Sequence, residues 1–309
     1  MKIGLALGGG GVKGMAHVGV LKVIEAAEIP IEVVAGTSSG AIVGALYAAG
    51  KTPDEIEQLA RRLGIRKWFA RDKSGLGLFS TNGIREIIDT CVGQDARIED
   101  LPRRFACVAV DIDEEREVVF DGGPLADAVC ASSAYPGIYA PVRVGNRYLF
   151  DGGVLNPVPF DIARKYGADR VIACDLGAQQ PFFADGTSDE VQHGGVLWKL
   201  FYALFHQQMF RLMERSVGIM SQQLRDLKLA QSPPDLIIYP RVTQIGLLDF
   251  DLMETCFSAG EQAARELLPE MKRIAEVEIQ ITRHPAWTTW WQWLRAIRSR
   301  WGVGRESEG

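Results

Sequence analysis

The first pattern that could carry chemistry spans residues 36–40, which match G-x-S-x-G with Ser38 at the centre. In hydrolases with this pattern the serine lies on a tight turn between a strand and a helix. Glycines on both sides, here Gly36 and Gly40, let the backbone pass closely and leave the hydroxyl exposed. The apolar run 31–35 predicts the strand, and residues 41–49 predict the helix. This context favours Ser38 as a nucleophile, although the five-residue pattern alone is a weak signal.

A glycine-rich loop, residues 8–14, follows the first predicted strand. Consecutive glycines before a helix expose backbone N–H groups that converge on an anion. Gly9, Gly11 and Gly14 also spell the dinucleotide fingerprint, but the second strand lacks the acidic residue that a bound ribose requires. The phosphate-loop pattern fails because no lysine follows the last glycine. An oxyanion hole beside Ser38 accounts for both the glycine loop at 8–14 and the serine turn at 36–40. The alternative is a glycine turn that is needed only for packing.

The sequence D-G-G occurs twice and supplies two candidate bases, Asp121 and Asp151. Asp121 follows an apparent edge hairpin and precedes a helix, which is typical of a turn and N-cap. Asp151 ends a predicted strand, and Gly152 and Gly153 begin a loop rich in glycine and proline. A side chain there can be held at the edge of the sheet, so Asp151 is the preferred base. Two other aspartates that end predicted strands are assigned structural roles: Asp111 and Asp175.

A histidine partner for the serine has little support in the sequence. A Ser-His-Asp triad of the α/β-hydrolase type needs a histidine after the acid in chain order. Three histidines follow Asp151, and none carries a surrounding signal: His193, His206 and His284. His17 lies one turn into the first predicted helix and is interpreted as packed there. A triad is therefore the minor alternative to a Ser-Asp pair.

The elements that must position these residues follow from hydrophobic periodicity. Strand, loop and helix occur twice in succession at the start of the chain, which predicts a parallel α/β fold. Further strands are predicted at residues 105–111, 117–120, 148–150, 171–175 and 235–239. Further helices are predicted at residues 53–70, 82–92, 125–132, 196–229 and 252–281.

Composition narrows the class of protein. The chain has 309 residues, of which 47% are hydrophobic and 24% charged, and this is typical of a globular protein. A net charge of −5 gives no basic field for nucleic acid. The five cysteines form no CxxC pair, so neither a disulfide framework nor a metal site is expected, and a cytoplasmic location is favoured. The longest apolar stretch is too short to span a bilayer.

Taken together, the three motifs resemble those of the patatin-like phospholipases, especially the bacterial members close to neuropathy target esterase. The resemblance rests on G-G-G-x-K-G at residues 9–14, G-T-S-S-G at 36–40 and D-G-G at 151–153, in that order. Flanking segments agree: A-S-S-A-Y-P-G at 131–137, P-V-P at 157–159 and I-G-L-L-D-F at 245–250. It covers roughly residues 1–275.

The resemblance implies a three-layer α/β/α fold with a mainly parallel central sheet and a lipid acyl-hydrolase that needs no cofactor. It implies that Ser38 is the nucleophile and Asp151 the base, and that the N–H groups of the 9–11 loop, above all those of Gly10 and Gly11, hold the oxyanion. Lys13 occupies the basic position of the loop. Two roles stay open for it: a direct role in the oxyanion hole, or capping or pairing on the surface.

The last part of the chain departs from this resemblance. Residues 1–281 are interpreted as the hydrolase domain and residues 282–309 as an amphipathic segment. Between residues 283 and 309 there are five arginines and two glutamates, and tryptophans recur at helical spacing on one face. Such a helix suits the surface of an anionic membrane. Docking on the domain or on a second copy is the alternative, and the oligomeric state is not predicted.

Overall fold

A computed structural model describes residues 1–62, 68, 70–177 and 207–282. Its central sheet has the order β10-β9-β1-β2-β5-β8-β7, with β6 paired to β5. The strands are β1 (Ile3–Leu7), β2 (Ile31–Thr37), β5 (Arg104–Asp111), β6 (Arg116–Phe120), β7 (Val142–Val144), β8 (Arg147–Asp151), β9 (Arg170–Cys174) and β10 (Leu236–Ile238). A separate hairpin pairs β3 (Ala70–Arg71) with β4 (Phe79–Ser80).

Helices cover both faces of this sheet. They are α1 (Met15–Ala26), α2 (Ser39–Ala48), α3 (Pro53–Arg62), α4 (Asn82–Cys91), α5 (Leu125–Ser132), α6 (Phe160–Lys165), α7 (Gln207–Gln231), α8 (Met253–Glu266) and α9 (Leu268–Thr282). Helices α1, α2, α5 and α8 share one hydrophobic core with the sheet, and α6 lies in the core on the other face. The three-layer α/β/α fold and the mainly parallel sheet are therefore confirmed.

The parallel part of the sheet consists of five neighbouring strands from β10 to β5. The chain leaves β1 toward β2 on one side and later adds β9 on the other side. Ligands of open α/β sheets bind at the carboxyl ends of the strands, at such a change of direction. The glycine loop follows β1, and Ser38 follows β2, so both lie at this edge.

One edge of β5 is shared by two strands, and this arrangement brings distant parts of the chain together. β6 pairs with the last five residues of β5, and β2 pairs with the first five. β8 pairs with only the last three residues, antiparallel to β5. Because β6 already occupies one edge there, β8 continues along the edge that β2 occupies. Thr37 is paired with Val108 and Asp151 with Ala109, so β2 and β8 meet end to end.

Several predicted elements need correction. Of the helix predicted at 53–70, the structure describes Pro53–Arg62 and a helical Trp68, whereas Ala70 pairs with Ser80 in the β3–β4 hairpin. The helix predicted at 252–281 is two helices that break at Leu267, because Pro269 cannot donate a backbone hydrogen bond within a helix. The short strand β7 was missed. Of the helix predicted at 196–229, the described part begins at Gln207.

Helices α1 and α8 cross in close contact through glycine. A Cβ atom on Gly260 would overlap the Ala16 carbonyl oxygen, and one on Gly19 would overlap the Phe257 carbonyl oxygen. Side chains at either position would therefore push apart two helices that cover the same face of the sheet.

We expect Gly260→Ala to lower the free energy of unfolding by about 1–3 kcal/mol, because forced separation of packed helices outweighs the roughly 1 kcal/mol that alanine gains in helix propensity. Urea unfolding measures the change. The control is Gly122→Ala, since a Cβ there would meet its nearest atom, Glu99 Oε2, at an ordinary 3.5 Å. Equal stability of the two variants would contradict the close-contact argument.

Candidate active site

Ser38 lies between β2 and α2 in a strained backbone conformation. Its φ of 56° and ψ of −123° are rare for a residue other than glycine. Such strain costs on the order of 1–3 kcal/mol and persists only when neighbouring structure fixes it. The side chain is half-buried and lines a cavity. This is the geometry of a nucleophile elbow.

The glycines of the elbow are explained by close backbone contacts. A Cβ atom on Gly36 would lie 2.5 Å from the Gly40 carbonyl oxygen, and one on Gly40 would overlap the Leu7 carbonyl oxygen. Strand β2, helix α2 and the end of β1 therefore pack together at a point where no side chain fits.

Two serines at the end of α5 hold the backbone of Ser38. The Ser38 N–H donates to Ser132 Oγ at 3.1 Å, and Ser133 Oγ donates to the Ser38 carbonyl at 3.2 Å. Both side chains are buried. In the sequence they appear only as flanking residues of a motif, because no local pattern indicates a contact across more than ninety positions. They stabilise the strained conformation from both sides of the residue.

Asp151 reaches the same place because β8 ends against β2. A Cβ on Gly152 would overlap the Val108 carbonyl oxygen, so the chain turns tightly over the middle of β5. The Gly153 N–H then donates to Asp151 Oδ1 at 2.7 Å. Gly152 permits the turn, and Gly153 orients the carboxylate.

The carboxyl of Asp151 is almost completely buried, with 1% of its surface exposed. Loss of hydration raises its pKa to about 7, although the Ser38 side chain and the Gly153 N–H oppose this by favouring the charged form. Within the described part of the chain, Oδ2 has no partner of ordinary hydrogen-bond geometry, so the contact with Ser38 is looser than an ideal hydrogen bond. Pairs of this kind often tighten only when substrate binds.

The glycine loop lines the same cavity as Ser38. The Gly9 N–H donates to the Pro157 carbonyl at 2.9 Å, so Gly9, which the sequence analysis grouped with the oxyanion donors, is engaged elsewhere. The N–H groups of Gly10 and Gly11 have no acceptor in the described part of the chain. Gly11 has a φ of +59°, and a Cβ there would overlap the Leu247 carbonyl oxygen. Only glycine fits this turn.

Lys13 and Gly14 lie beneath this loop. Lys13 is 3% exposed, which rules out the surface role that the sequence left open. Burial lowers the pKa of its ammonium group, and the charges of Glu214 and Asp249 act in the opposite direction. Gly14 packs against Ser39, whose side chain a Cβ atom would overlap.

The cavity beside Ser38 encloses about 180 Å³. By comparison, an apolar cavity of about 150 Å³ accommodates benzene. Helix α7 lines one side, where Arg225 pairs with Asp175 at 2.9 Å. Many of the other lining side chains are apolar: Val12, Met15, Ile42, Trp68, Ile84, Ile138, Tyr139, Leu248 and Phe250.

The other candidates from the sequence lie away from Ser38 or outside the described residues. Asp121 is exposed in a turn, and the N-cap of α5 is Pro124, so the predicted capping role is wrong. Asp111 is buried and accepts the N–H groups of residues 113 and 114. Among the described residues no cluster of His, Cys, Asp and Glu could hold a metal ion, and no helix is long and apolar enough to cross a membrane.

Histidine is not paired with Ser38 in the described part of the chain. His17 is fully buried, and its Nε2 lies 2.7 Å from the Gly8 carbonyl oxygen. His193, His206 and His284 lie outside the described residues. In the described part of the chain, a serine on a strained turn, a buried carboxyl and the glycine loop come together at the elbow, which defines an α/β protein with a nucleophile elbow.

Comparison with known proteins identifies the group to which this α/β protein is related. A family model described as patatin-like phospholipase matches residues 5–164, just over half of the chain. The chain therefore belongs to the patatin-like phospholipase family. The match includes all three motifs, from the glycine loop to the second D-G-G.

Curated relatives agree with this assignment. An uncharacterized NTE family protein of Mycobacterium tuberculosis is 37% identical over 182 residues, which are 58% of this chain and 50% of the relative. Patatin-like phospholipase domain-containing protein 6 of Homo sapiens is 35% identical over 210 residues, which are 64% of this chain and 15% of the relative. The chain thus spans half or less of the length of these relatives.

Among solved structures, VipD from Legionella pneumophila has the same fold. The two superpose with a TM-score of 0.54 over 87% of this chain and 67% of VipD, at 16% sequence identity.

The raised pKa of Asp151 predicts how stability depends on pH. The unfolded carboxyl ionises near its ordinary value of 3.8, whereas the folded one keeps its proton until about pH 7. The folded state therefore binds more protons between these values, and the stability that the proton provides is lost as the pH rises from about 4 to about 7. Asp151→Asn lacks this titration, so we expect the variant to gain stability relative to wild type across that window.

Urea unfolding at pH 4, 5.5, 7 and 8.5 measures this difference. Asp121→Asn, which changes an exposed aspartate of the other D-G-G, is the matched control. If the difference between Asp151→Asn and wild type were the same at pH 4 and pH 7, the buried carboxyl would not titrate as described.

Proposed function

We propose that the protein is a serine acyl-hydrolase of lipid esters that uses Ser38 as nucleophile and Asp151 as general base. The observation that carries this proposal is the meeting of a strained, cavity-facing serine with a buried carboxyl whose pKa is about 7. A general base works best when its pKa lies near the working pH. Membership in the patatin-like phospholipase family supports a lipid ester as substrate.

The chemistry follows from the positions of these groups. Ser38 Oγ attacks the ester carbonyl carbon while Asp151 Oδ2, which no other described residue engages in a hydrogen bond, takes the hydroxyl proton. The carbonyl oxygen becomes negatively charged, and the N–H groups of Gly10 and Gly11 stabilise it; one such donor is worth about 3–4 kcal/mol. Asp151 then gives the proton to the departing alcohol, and an acyl-enzyme remains.

Deacylation repeats these steps with water. Asp151 takes a proton from the water that attacks the acyl carbonyl, and the proton returns to Ser38 Oγ as the fatty acid leaves. No metal ion or cofactor takes part in this scheme. The apolar side of the cavity accommodates the acyl chain, since Ile42, Ile84 and Ile138 line it beside the serine.

Two other functions were weighed. A nucleotide-binding protein would need an acidic residue after β2, where the chain has Ser38 and Ser39. A binding module without turnover would not need a buried carboxyl with a raised pKa beside an elbow serine, because burial of that group costs stability above pH 7.

The first test is covalent labelling with a fluorophosphonate probe, which reacts with activated serines. We expect wild type and Asp121→Asn to be labelled at equal rates, Ser38→Ala to be unlabelled, and Asp151→Asn to react at least about 100-fold more slowly, because a general base contributes about 10²–10⁴ in rate. Peptide mapping should locate the adduct on Ser38. A folded wild type that fails to react would refute the hydrolase proposal.

The same scheme predicts a pH profile. Asp151 acts as a base only when ionised, so kcat/KM for a short-chain ester should rise with pH and level off above about pH 7. Hydrolysis measured from pH 5 to pH 9 gives the profile, and the enzyme's fold is checked at each pH by circular dichroism. A rate that stays constant from pH 5 to pH 9 would exclude Asp151 as the base.

We also propose that residues 282–309 hold the enzyme on an anionic membrane; residues 283–309 lie outside the described part of the chain. Their tryptophans and arginines support this contact. Deletion after residue 281 should weaken pelleting with anionic liposomes and spare hydrolysis of a dissolved short-chain ester. High salt should weaken pelleting of the full chain, because it screens the arginines. Unchanged pelleting of the truncated chain would disprove this role.

A further inference from the structure

His17 lies directly behind the glycine loop, in the first turn of α1. The side chain is fully buried, and Nε2 lies 2.7 Å from the Gly8 carbonyl oxygen. A carbonyl oxygen only accepts hydrogen bonds, so Nε2 carries the proton and donates it. Nδ1 is then an acceptor, and it is buried without a hydrogen-bond partner among the residues that the structure describes.

His17 does not line the cavity beside Ser38, so it is not placed to act as a base there, and its burial is costly for a residue that only fills space. Burial lowers the pKa of the imidazole to about 4, so the ring is neutral at physiological pH. An unsatisfied buried acceptor costs about 1–3 kcal/mol, and an apolar side chain of similar size would avoid this cost. The bond that His17 makes to Gly8 is therefore the feature that distinguishes the histidine from such a side chain.

The bond belongs to a set of three that fix the chain where β1 becomes the glycine loop. The Gly8 N–H donates to the Cys174 carbonyl at 3.0 Å, and the Gly9 N–H donates to the Pro157 carbonyl at 2.9 Å. His17 holds the Gly8 carbonyl from the other side. The next two residues, Gly10 and Gly11, carry the N–H groups that have no acceptor in the described part of the chain.

We propose that His17 is a positioning residue that fixes the orientation of the oxyanion N–H groups through the Gly8 carbonyl. This inference rests on the proposed hydrolase function. Four consecutive glycines have little conformational preference of their own, and an oxyanion hole is effective only when its donors are held in place before the reaction. Without the bond to His17, only the Gly9 N–H bond to Pro157 holds the peptide group between Gly8 and Gly9, so the donors that follow are held less firmly in their direction.

Two substitutions separate this role from packing. In His17→Gln the side-chain amide reaches the position of Nε2 and can donate to Gly8, whereas His17→Met has similar length but no donor. For a soluble short-chain ester we expect His17→Met to lower kcat about 10- to 100-fold with little change in KM. This loss is smaller than the loss expected when an oxyanion donor is removed completely, because the donors are still present but less firmly held. His17→Gln should stay within about threefold of wild type.

A transition-state analogue sharpens the comparison. A trifluoromethyl ketone forms a tetrahedral adduct with an active serine, so its affinity should fall in His17→Met by about the same factor as kcat/KM. If His17→Met fails to fold, His17→Asn replaces it, because the shorter amide cannot reach Gly8.

The outcomes distinguish the two proposals. If the fluorophosphonate labels wild type, and His17→Met matches wild type in kcat and in ketone affinity, the positioning role is wrong and the hydrolase stands. Equal losses in His17→Met and His17→Gln would also overturn it, since they would indicate packing alone. A wild type that is not labelled overturns the hydrolase proposal and this inference with it.

Discussion

The edge of a β-strand can pair with one partner at each position, and one edge of β5 is divided between two strands. β2 occupies the first part of that edge and β8 the last part, so the two strands end against each other. Thr37 and Asp151 are consecutive along it, paired with Val108 and Ala109. This arrangement brings Asp151 to the serine that follows Thr37, although more than a hundred residues separate them along the chain.

The other features of the site maintain this junction. Glycines stand where backbones cross without room for a side chain, at Gly40 against β1 and at Gly152 against β5. The strained backbone of Ser38 is held by Ser132 and Ser133, two buried hydroxyls from a helix on the opposite side of the elbow. A functional site commonly stores strain of this kind, and the surrounding structure compensates for it.

Burial determines the electrostatics of the site. Removal of water raises the pKa of Asp151 to about 7 and lowers the pKa of Lys13, so burial favours the uncharged form of each group. The same effect keeps the imidazole of His17 neutral, with a pKa of about 4. Backbone dipoles beside such buried groups are screened little by solvent and interact strongly with a developing negative charge. That is the situation in which an oxyanion hole contributes most to a rate.

Local patterns predicted the elements that depend on local physics. Apolar runs and glycine turns predicted β1, β2, α1, α2 and the elbow between them, because strand and helix periodicities are visible within a few residues. Errors arose where another part of the chain decides the outcome. Ala70 lies in a hairpin because Ser80 pairs with it. The break between the two helices within 252–281 is different, because Pro269 is a local cause. The roles of Ser132, Ser133 and the Gly8 carbonyl depend on contacts that no spacing encodes.

By itself, the sequence determined which residue types stand on tight turns: a serine between Gly36 and Gly40, a run of glycines before a helix, and an aspartate before Gly152. It also favoured Asp151 over Asp121. Only the tertiary structure decided what surrounds each of them. Packing between distant segments buries Asp151 and Lys13, and it engages the Gly9 N–H in a hydrogen bond to Pro157. Exclusion of solvent is a property of the folded chain as a whole.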